Sequence, residues 1–524
     1  MKLNKQILAM SIITASAAMT GCGSSSSSGT DEGPVVIDGL TRLITIDADC
    51  GIATDSGLEI TMADGSFVPL CDLNGNISTD ATLSADNVYR LNGYVQVGSG
   101  HEELSLNTEA DKTAIENAGV TLTIEAGTHF RSSGRGSLII SRGSEIAANG
   151  TAAAPIVMSS FDNGYTGQGE WGGLVLQGFA KNNECGDGAT GSVAVGCDTA
   201  DEAGTGFHGG NDDADSSGSI SHLIIAEGGF EVAPDSEVNG ITLHSVGYGT
   251  SIENVMVYGN ADDGIEFFGG AANVKNLILI DNGDESLDWD NGWRGNVQFA
   301  LIRQGLLNEG DHGIEADTAG PSNSALPESA PVIANATFQE NAAEGADDLF
   351  RFKKGTEGTL INVAADGYEE CVKAEGSDVD VTLTNVVAEC TAYDTASDNH
   401  NFEYVTGGVK VDSGDDANCS AGNESVACTA EDVLTADNNS VASLTFSGGV
   451  SANTFGGATV DLGNAFEVTG NNGTLATAPV FTSANGSVNF LTATSYVGAV
   501  DPTVTDAANA WWAWAAEVIP AAFQ

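Results

Sequence analysis

Three short segments carry carboxylates at one repeated spacing: DDGIEFF from Asp262, DESLDWD from Asp284 and DHGIEAD from Asp311. They align without gaps. Asp262, Asp284 and Asp311 form one column, Glu266, Asp288 and Glu315 a second, and Asp290 and Asp317 share a third with Phe268. Ile265, Leu287 and Ile314 alternate with Phe267, Trp289 and Ala316. That period of two is a strand with its apolar face inward, which turns Glu266, Asp288 and Glu315 outward. A fourth segment, DDLFRFK from Asp347, fits with a one-residue deletion. Phe350 and Phe352 then point in, and Arg351 and Lys353 continue the acidic columns as basic caps.

Carboxylates stacked at a strand spacing of about 4.8 Å repel by about 3.5 kcal/mol per pair at an effective dielectric of about 20. Three things relieve this: raised pKa values, neighbouring arginine, or a divalent cation. Calcium fits, because bonds to oxygen of about 2.4 Å let one ion bridge carboxylates one rung apart. The metal candidates are Asp262, Glu266, Asp284, Asp288, Asp290, Glu315 and Asp317. An arginine-balanced or solvated face is the alternative, and a catalytic cluster is the third. For catalysis or ligand binding the nearby groups are Arg294, Arg351, Lys353, Lys354, His312 and, if exposed, Trp293 for stacking a sugar. A separate D-x-D-x-S-G run places Asp213 and Asp215 as the opening of a calcium loop, although Ile224 stands where the bidentate Glu belongs. The equally simple reading is a plain acidic loop. The seven histidines include no close pair in sequence, so zinc is not indicated, though stacked rungs could bring two together.

The elements that must position these groups are short repeats. SIENVMVY, NVKNLILI, NVQFALIR, VIANATF, TLINVAAD and TLTNVVAE align on Ile252, Val274, Val297, Ile333, Leu360 and Leu383, in steps of 22, 23, 36, 27 and 23 residues. Such periods mean stacked units that bury their apolar faces against neighbours. Two positions after the anchor come Asn254, Asn276, Asn335, Asn362 and Asn385, with Phe299 as the exception. Stacked amides can bond one to the next, so these asparagines read as corner residues. The expected fold is all-β, a single parallel β-helix over residues 88–500 with a Cys-bounded insertion at 181–218. Residues 34–87 read as an irregular or capping region, and 501–524, with Trp511, Trp512 and Trp514, as a cap over the last rung.

Residues 1–21 read as a secretory signal: a short basic region, an apolar stretch and then MTGC. The ending resembles a bacterial lipoprotein signal, with lipid on Cys22 and a Ser/Gly-rich tether over 22–33; Met19 replaces the usual Leu. Gly23 after that cysteine resembles an outer-membrane sorting signal. The other eight cysteines fall in order as Cys50 with Cys71, Cys185 with Cys197, Cys371 with Cys390 and Cys419 with Cys428, and nearest-neighbour pairing suits an exported chain. With 73 acidic and 17 basic residues there is no basic stripe for nucleic acid, and cations or cationic patches are favoured instead.

GVTLTIEAGT, GSLIISRGSEIAANGTAAAPIVMSS, EWGGLVLQG, VNGITLHSVGYGTSIENVMVYGNADDGIEFFGG and NGDESLDWDNGWRG cover most of residues 118–300. They resemble a family of exported Gram-negative proteins with a right-handed, pectin-lyase-like parallel β-helix. The resemblance implies the fold, export and an outer-surface location, and little about activity. The expected function is therefore an outer-membrane-anchored lipoprotein, surface-facing rather than periplasmic. It would bind an extracellular polymer, glycan or protein along an acidic, calcium-loaded face. A polysaccharide lyase or glycoside hydrolase on the same scaffold is the alternative, and an adhesive rod the third reading. No segment matches the catalytic motifs of the pectinolytic families, which favours binding over catalysis.

Overall fold

Asn254, Asn276, Asn335 and Asn362 adopt φ of 54°, 58°, 55° and 57°. Asparagine tolerates this left-handed conformation better than most residues, and each one bends its strand into two halves on different faces. In the computed structural model the strands Ser251–Tyr258 and Asn273–Ile280 pair in parallel on both sides of the bend but not at it. Earlier rungs build the same two faces from separate strands. Glu145–Asn149 pairs with the first half of Gly218–Ala226, and Ile156–Ser159 with the second. His222, at φ 49°, is the bend between them.

The third face is a ten-stranded sheet running from Asn76–Ile77 to Glu370–Glu375, with every pairing parallel. Three faces per rung, stacked in register, make a parallel β-helix. The anchors Ile252, Val274, Val297, Ile333, Leu360 and Leu383 are all buried and belong to one continuous core. Each such side chain contributes about 1.5–3 kcal/mol of burial.

The structure describes residues 41–43 and 48–390, apart from 105–107, 187–192, 202–203, 233–236, 306–309, 319, 341–347 and 376–377. It also describes 401–405, 408–412, 444–446, 458–460 and most of 490–520. The signal segment, Cys22, the tether and Asp347 lie outside these residues. Three expected disulfides are formed: Cys50–Cys71, Cys185–Cys197 and Cys371–Cys390. The fourth expected bridge is not among them, because both Cys419 and Cys428 fall outside the described residues.

Both ends of the described solenoid carry antiparallel pairs. Region 34–87 is not irregular throughout: Thr54–Thr61 and Phe67–Leu73 form an antiparallel hairpin, and Phe67–Leu73 already stacks in parallel on Val88–Leu91. At the other end, Asp380–Glu389 is the last strand stacked in parallel among the described residues, and the antiparallel pair Asn401–Val405 and Gly408–Asp412 follows it; most of 391–489, where the expected solenoid runs on to 500, lies outside the described residues. The tryptophan tail does not cover the last rung. Trp512, Trp514 and Ile519 pack on an outward apolar stripe of the middle rungs, made by Ile224, Met256, Ile278 and Leu301. Thr492, Thr494, Tyr496 and Gly498 run along the corner ladder towards it. Thr492 exchanges two hydrogen bonds with the Gln298 amide, both 2.7 Å, and Asn335 donates to the Tyr496 carbonyl at 3.1 Å.

Candidate functional site

The ten-stranded face brings the acidic columns together. Glu266 stands beside Asp288, Asp288 beside Glu315, Glu315 beside Arg351, and Arg351 beside Lys373. The fourth rung needs no deletion: Ile314 pairs with Phe350 and Ala316 with Phe352 in unbroken register. Ile265, Phe267, Leu287, Trp289, Ile314, Phe350 and Phe352 are buried inward, as the alternation requires.

A further column lies one position after the first, and sequence reasoning passed over it. Asp263, Glu285, His312 and Asp348 are stacked by a backbone ladder. Gly264 donates to the Glu285 carbonyl at 3.0 Å, Ser286 to His312 at 3.1 Å and Gly313 to Asp348 at 3.1 Å. Glu370 continues the column beside Asp348. All five side chains are buried. The rungs approach closely here, since a Cβ on Gly264 would lie 2.6 Å from the Ser286 carbonyl. The signal was present in sequence as a doublet opening each motif: DD, DE, DH, DD and EE. It was obscured because these residues precede the alternating strand and read as loop.

The basic residues do not serve the columns evenly. Lys353 pairs with Glu315, Lys354 with Asp317 at 2.7 Å, and Arg351 with Glu375 at 3.2 Å. Asn239 donates to Glu266. No lysine or arginine among the described residues pairs with Asp263, Glu285 or Asp288. Burial first, and then mutual repulsion, pushes these three carboxyls well above the usual range. Burial also raises Asp290, to about 7. One Asp288 oxygen is sealed without a hydrogen-bond partner. Burial and the adjacent Arg351, Lys353 and Lys373 push His312 down to about 3. It stays neutral, with Nε2 2.6 Å from an Arg351 nitrogen and Nδ1 3.2 Å from Asp311. Nε2 thus accepts from Arg351, and Nδ1 lies between the Asp311 carboxylate and the Asp348 amide, which donates to it at 3.4 Å.

Among the described residues, four groups could hold a metal ion, each with ligand atoms within 4.8 Å of one another. They are Asp263–Glu285–Asp288, Asp262–Asp263–Asp284, Asp284–Glu285–Asp311 and Glu285–His312–Glu315. Twice a calcium–oxygen bond of about 2.4 Å spans that distance, and the mostly carboxylate donor set suits a hard cation. Of the predicted ligands, Asp262, Asp284, Asp288 and Glu315 join these groups. Glu266, Asp290 and Asp317 do not.

Four predicted site residues are corrected. Trp293 is fully buried, stacked on Phe267 at 3.8 Å, and presents no surface to a sugar. Arg294 is buried and clasps Asp213 through two bonds of 2.9 Å. Asp213 also meets Lys181 at 3.0 Å. Burial opposes its ionisation, but these cations overcome that and hold its carboxyl below the usual value. Asp215 is buried, accepts from the Phe179 amide at 2.8 Å and is raised by burial to about 6. The 213–218 segment is therefore a pinned structural loop rather than the start of a calcium loop.

Among curated proteins none matches this chain. Two structures of PfbA, a surface adhesin of Streptococcus pneumoniae, are similar at 12% and 11% identity. The first covers 66% of this chain and 90% of that one with a TM-score of 0.28; the second covers 62% and 90% with 0.20. At those scores the likeness carries no argument about function. The family described as pectate-lyase-like beta helix domain matches residues 106–445, most of the chain and nearly all of its rungs. With parallel rungs in register on three faces, the chain belongs to the pectate-lyase-like β-helix family.

Proposed function

We propose that this protein is an exported β-helix that binds an extracellular ligand along its acidic face, with a divalent cation, calcium first, held at Asp263, Glu285 and Asp288. The observation that carries this reading is the convergence within 4.8 Å of three carboxylates without a basic partner among the described residues, Asp263 and Glu285 buried and Asp288 half-buried. A cation removes their repulsion and leaves coordination positions for hydroxyl or carboxylate groups of a polymer lying along the rungs. The anchor belongs to the same proposal: lipid on Cys22 would tether the solenoid to the outer membrane, and Cys22→Ser should release it into the soluble fraction.

The test is thermal unfolding with calcium and with a chelator. A ligand that binds only the folded state adds about 2.7 kcal/mol when it is a hundredfold above its Kd. Asp263→Asn should stabilise the chelated protein and abolish the calcium response. An unchanged calcium response in that variant would sink the reading.

A lyase is the second reading. It is favoured by the family and by Arg351, which bonds His312 at 2.6 Å on the rung beside the acid cluster. Calcium would acidify a uronate and a basic group would take the proton. Incubation with polygalacturonate and calcium decides it: no unsaturated product means no lyase.

A further inference from the structure

A second site lies on the same face, beside the Cys185–Cys197 disulfide. The third outward column continues upward from Asp290 through Phe268 to His244. His208, from the insertion, stacks on His244 with ring centroids 4.6 Å apart, and His244 stacks on Phe268 at the same distance. These three rings, with Glu184, Asp198 and Asp201, line a cavity of about 480 Å³.

Two of the carboxylates are fixed in place. Asp201 accepts from the Thr205 amide at 2.6 Å and from the Gln177 side-chain nitrogen at 2.8 Å. Asp198 accepts from the Leu104 amide at 3.1 Å and meets Arg142 at 2.8 Å. Arg142 offsets the charge of Asp198. No lysine or arginine among the described residues pairs with Glu184 or Asp201. Both histidines are buried, and burial lowers their pKa, that of His244 to about 4, so they add no positive charge. His208 is engaged by the Ser245 hydroxyl at 2.9 Å, whereas Nδ1 of His244 has no partner.

We infer that this cavity binds a small organic cation carrying a protonated amine. Its rim is rich in acceptors and has a net negative charge. The partly exposed Phe268 ring adds a cation–π surface, and the volume falls in the range of small-molecule sites. A metal is the poorer occupant, because neither histidine belongs to any cluster of three ligands within 4.8 Å among the described residues.

Calorimetric titration of the whole chain at low salt tests this with putrescine and glucosamine, and with glucose as the uncharged control. Saturable one-site binding of the amines is expected. Glu184→Gln, at an exposed position, should weaken it roughly tenfold, the loss of one charge-assisted hydrogen bond. His244→Phe, which preserves the ring stack, should also weaken it. Asp263→Asn should leave it unchanged, which separates this site from the cation site. The inference is overturned if neither amine saturates, if glucose binds as tightly as glucosamine, or if Glu184→Gln keeps full affinity. Binding of Zn²⁺ without amine binding also overturns it.

Discussion

Phe299 occupies the corner that asparagine fills elsewhere, at φ 62°. A bulky side chain in that conformation costs on the order of 1 kcal/mol or more. Its neighbour Gln298 carries the side-chain bonding in its place, reaching Asn335 at 3.3 Å, where Asn276 bonds Asn254 directly at 3.0 Å. Phe299→Asn should therefore raise stability by about 1 kcal/mol, read from the midpoint of chemical unfolding. A lower midpoint would mean that the Phe299 ring's contact with Lys275 outweighs the backbone strain. The asparagine ladder was legible in sequence because one residue type served one backbone need at one spacing. Asp263 and Glu285 were not legible as a site. Alternation marks the residues inside a strand, and these two stand just before it, where only stacking of whole rungs buries them.

At the scale of elements, the repeats were readable because each anchor must face the core, and the columns Glu266–Asp288–Glu315 follow from that register. The destination of the tail was not readable. A cap over an end and a strap along a flank both require bulky apolar residues, and composition cannot tell them apart. The structure decides for the flank, since Trp512 is 2% exposed against the stripe of Ile224, Met256, Ile278 and Leu301. Trp512→Ala should cost about 3–5 kcal/mol by the usual penalty for emptying a buried aromatic site. The loss should appear as binding of a hydrophobic dye with the strand spectrum unchanged, because this residue is outside the sheets. A collapse of the strand spectrum would instead show that the rungs cannot stand without it.

For the whole molecule, a formal charge of −56 makes pH and cations act together. Asp263, Glu285, Asp288 and Asp290 hold their protons more tightly folded than unfolded, Asp290 up to about 7. Folding takes up protons between the ordinary carboxyl pKa and these raised ones, so metal-free stability falls as pH rises through that window. A cation competes with those protons. The rise in melting temperature on adding calcium should therefore grow from about pH 5 to about pH 8; a response that shrinks would place the ion elsewhere. The strap has a further consequence, in the order of folding events. Rungs zip between neighbours about one repeat apart, but Lys275 meets Thr492 across 217 residues and Asn335 meets Gly498 across 163. Contacts so distant in sequence form slowly. The solenoid therefore assembles with its middle flank still greasy and is sealed last. Refolding should show a fast phase in strand content and a later one in the fluorescence of Trp512 and Trp514. In the interval the naked stripe is where two half-finished molecules would stick to each other.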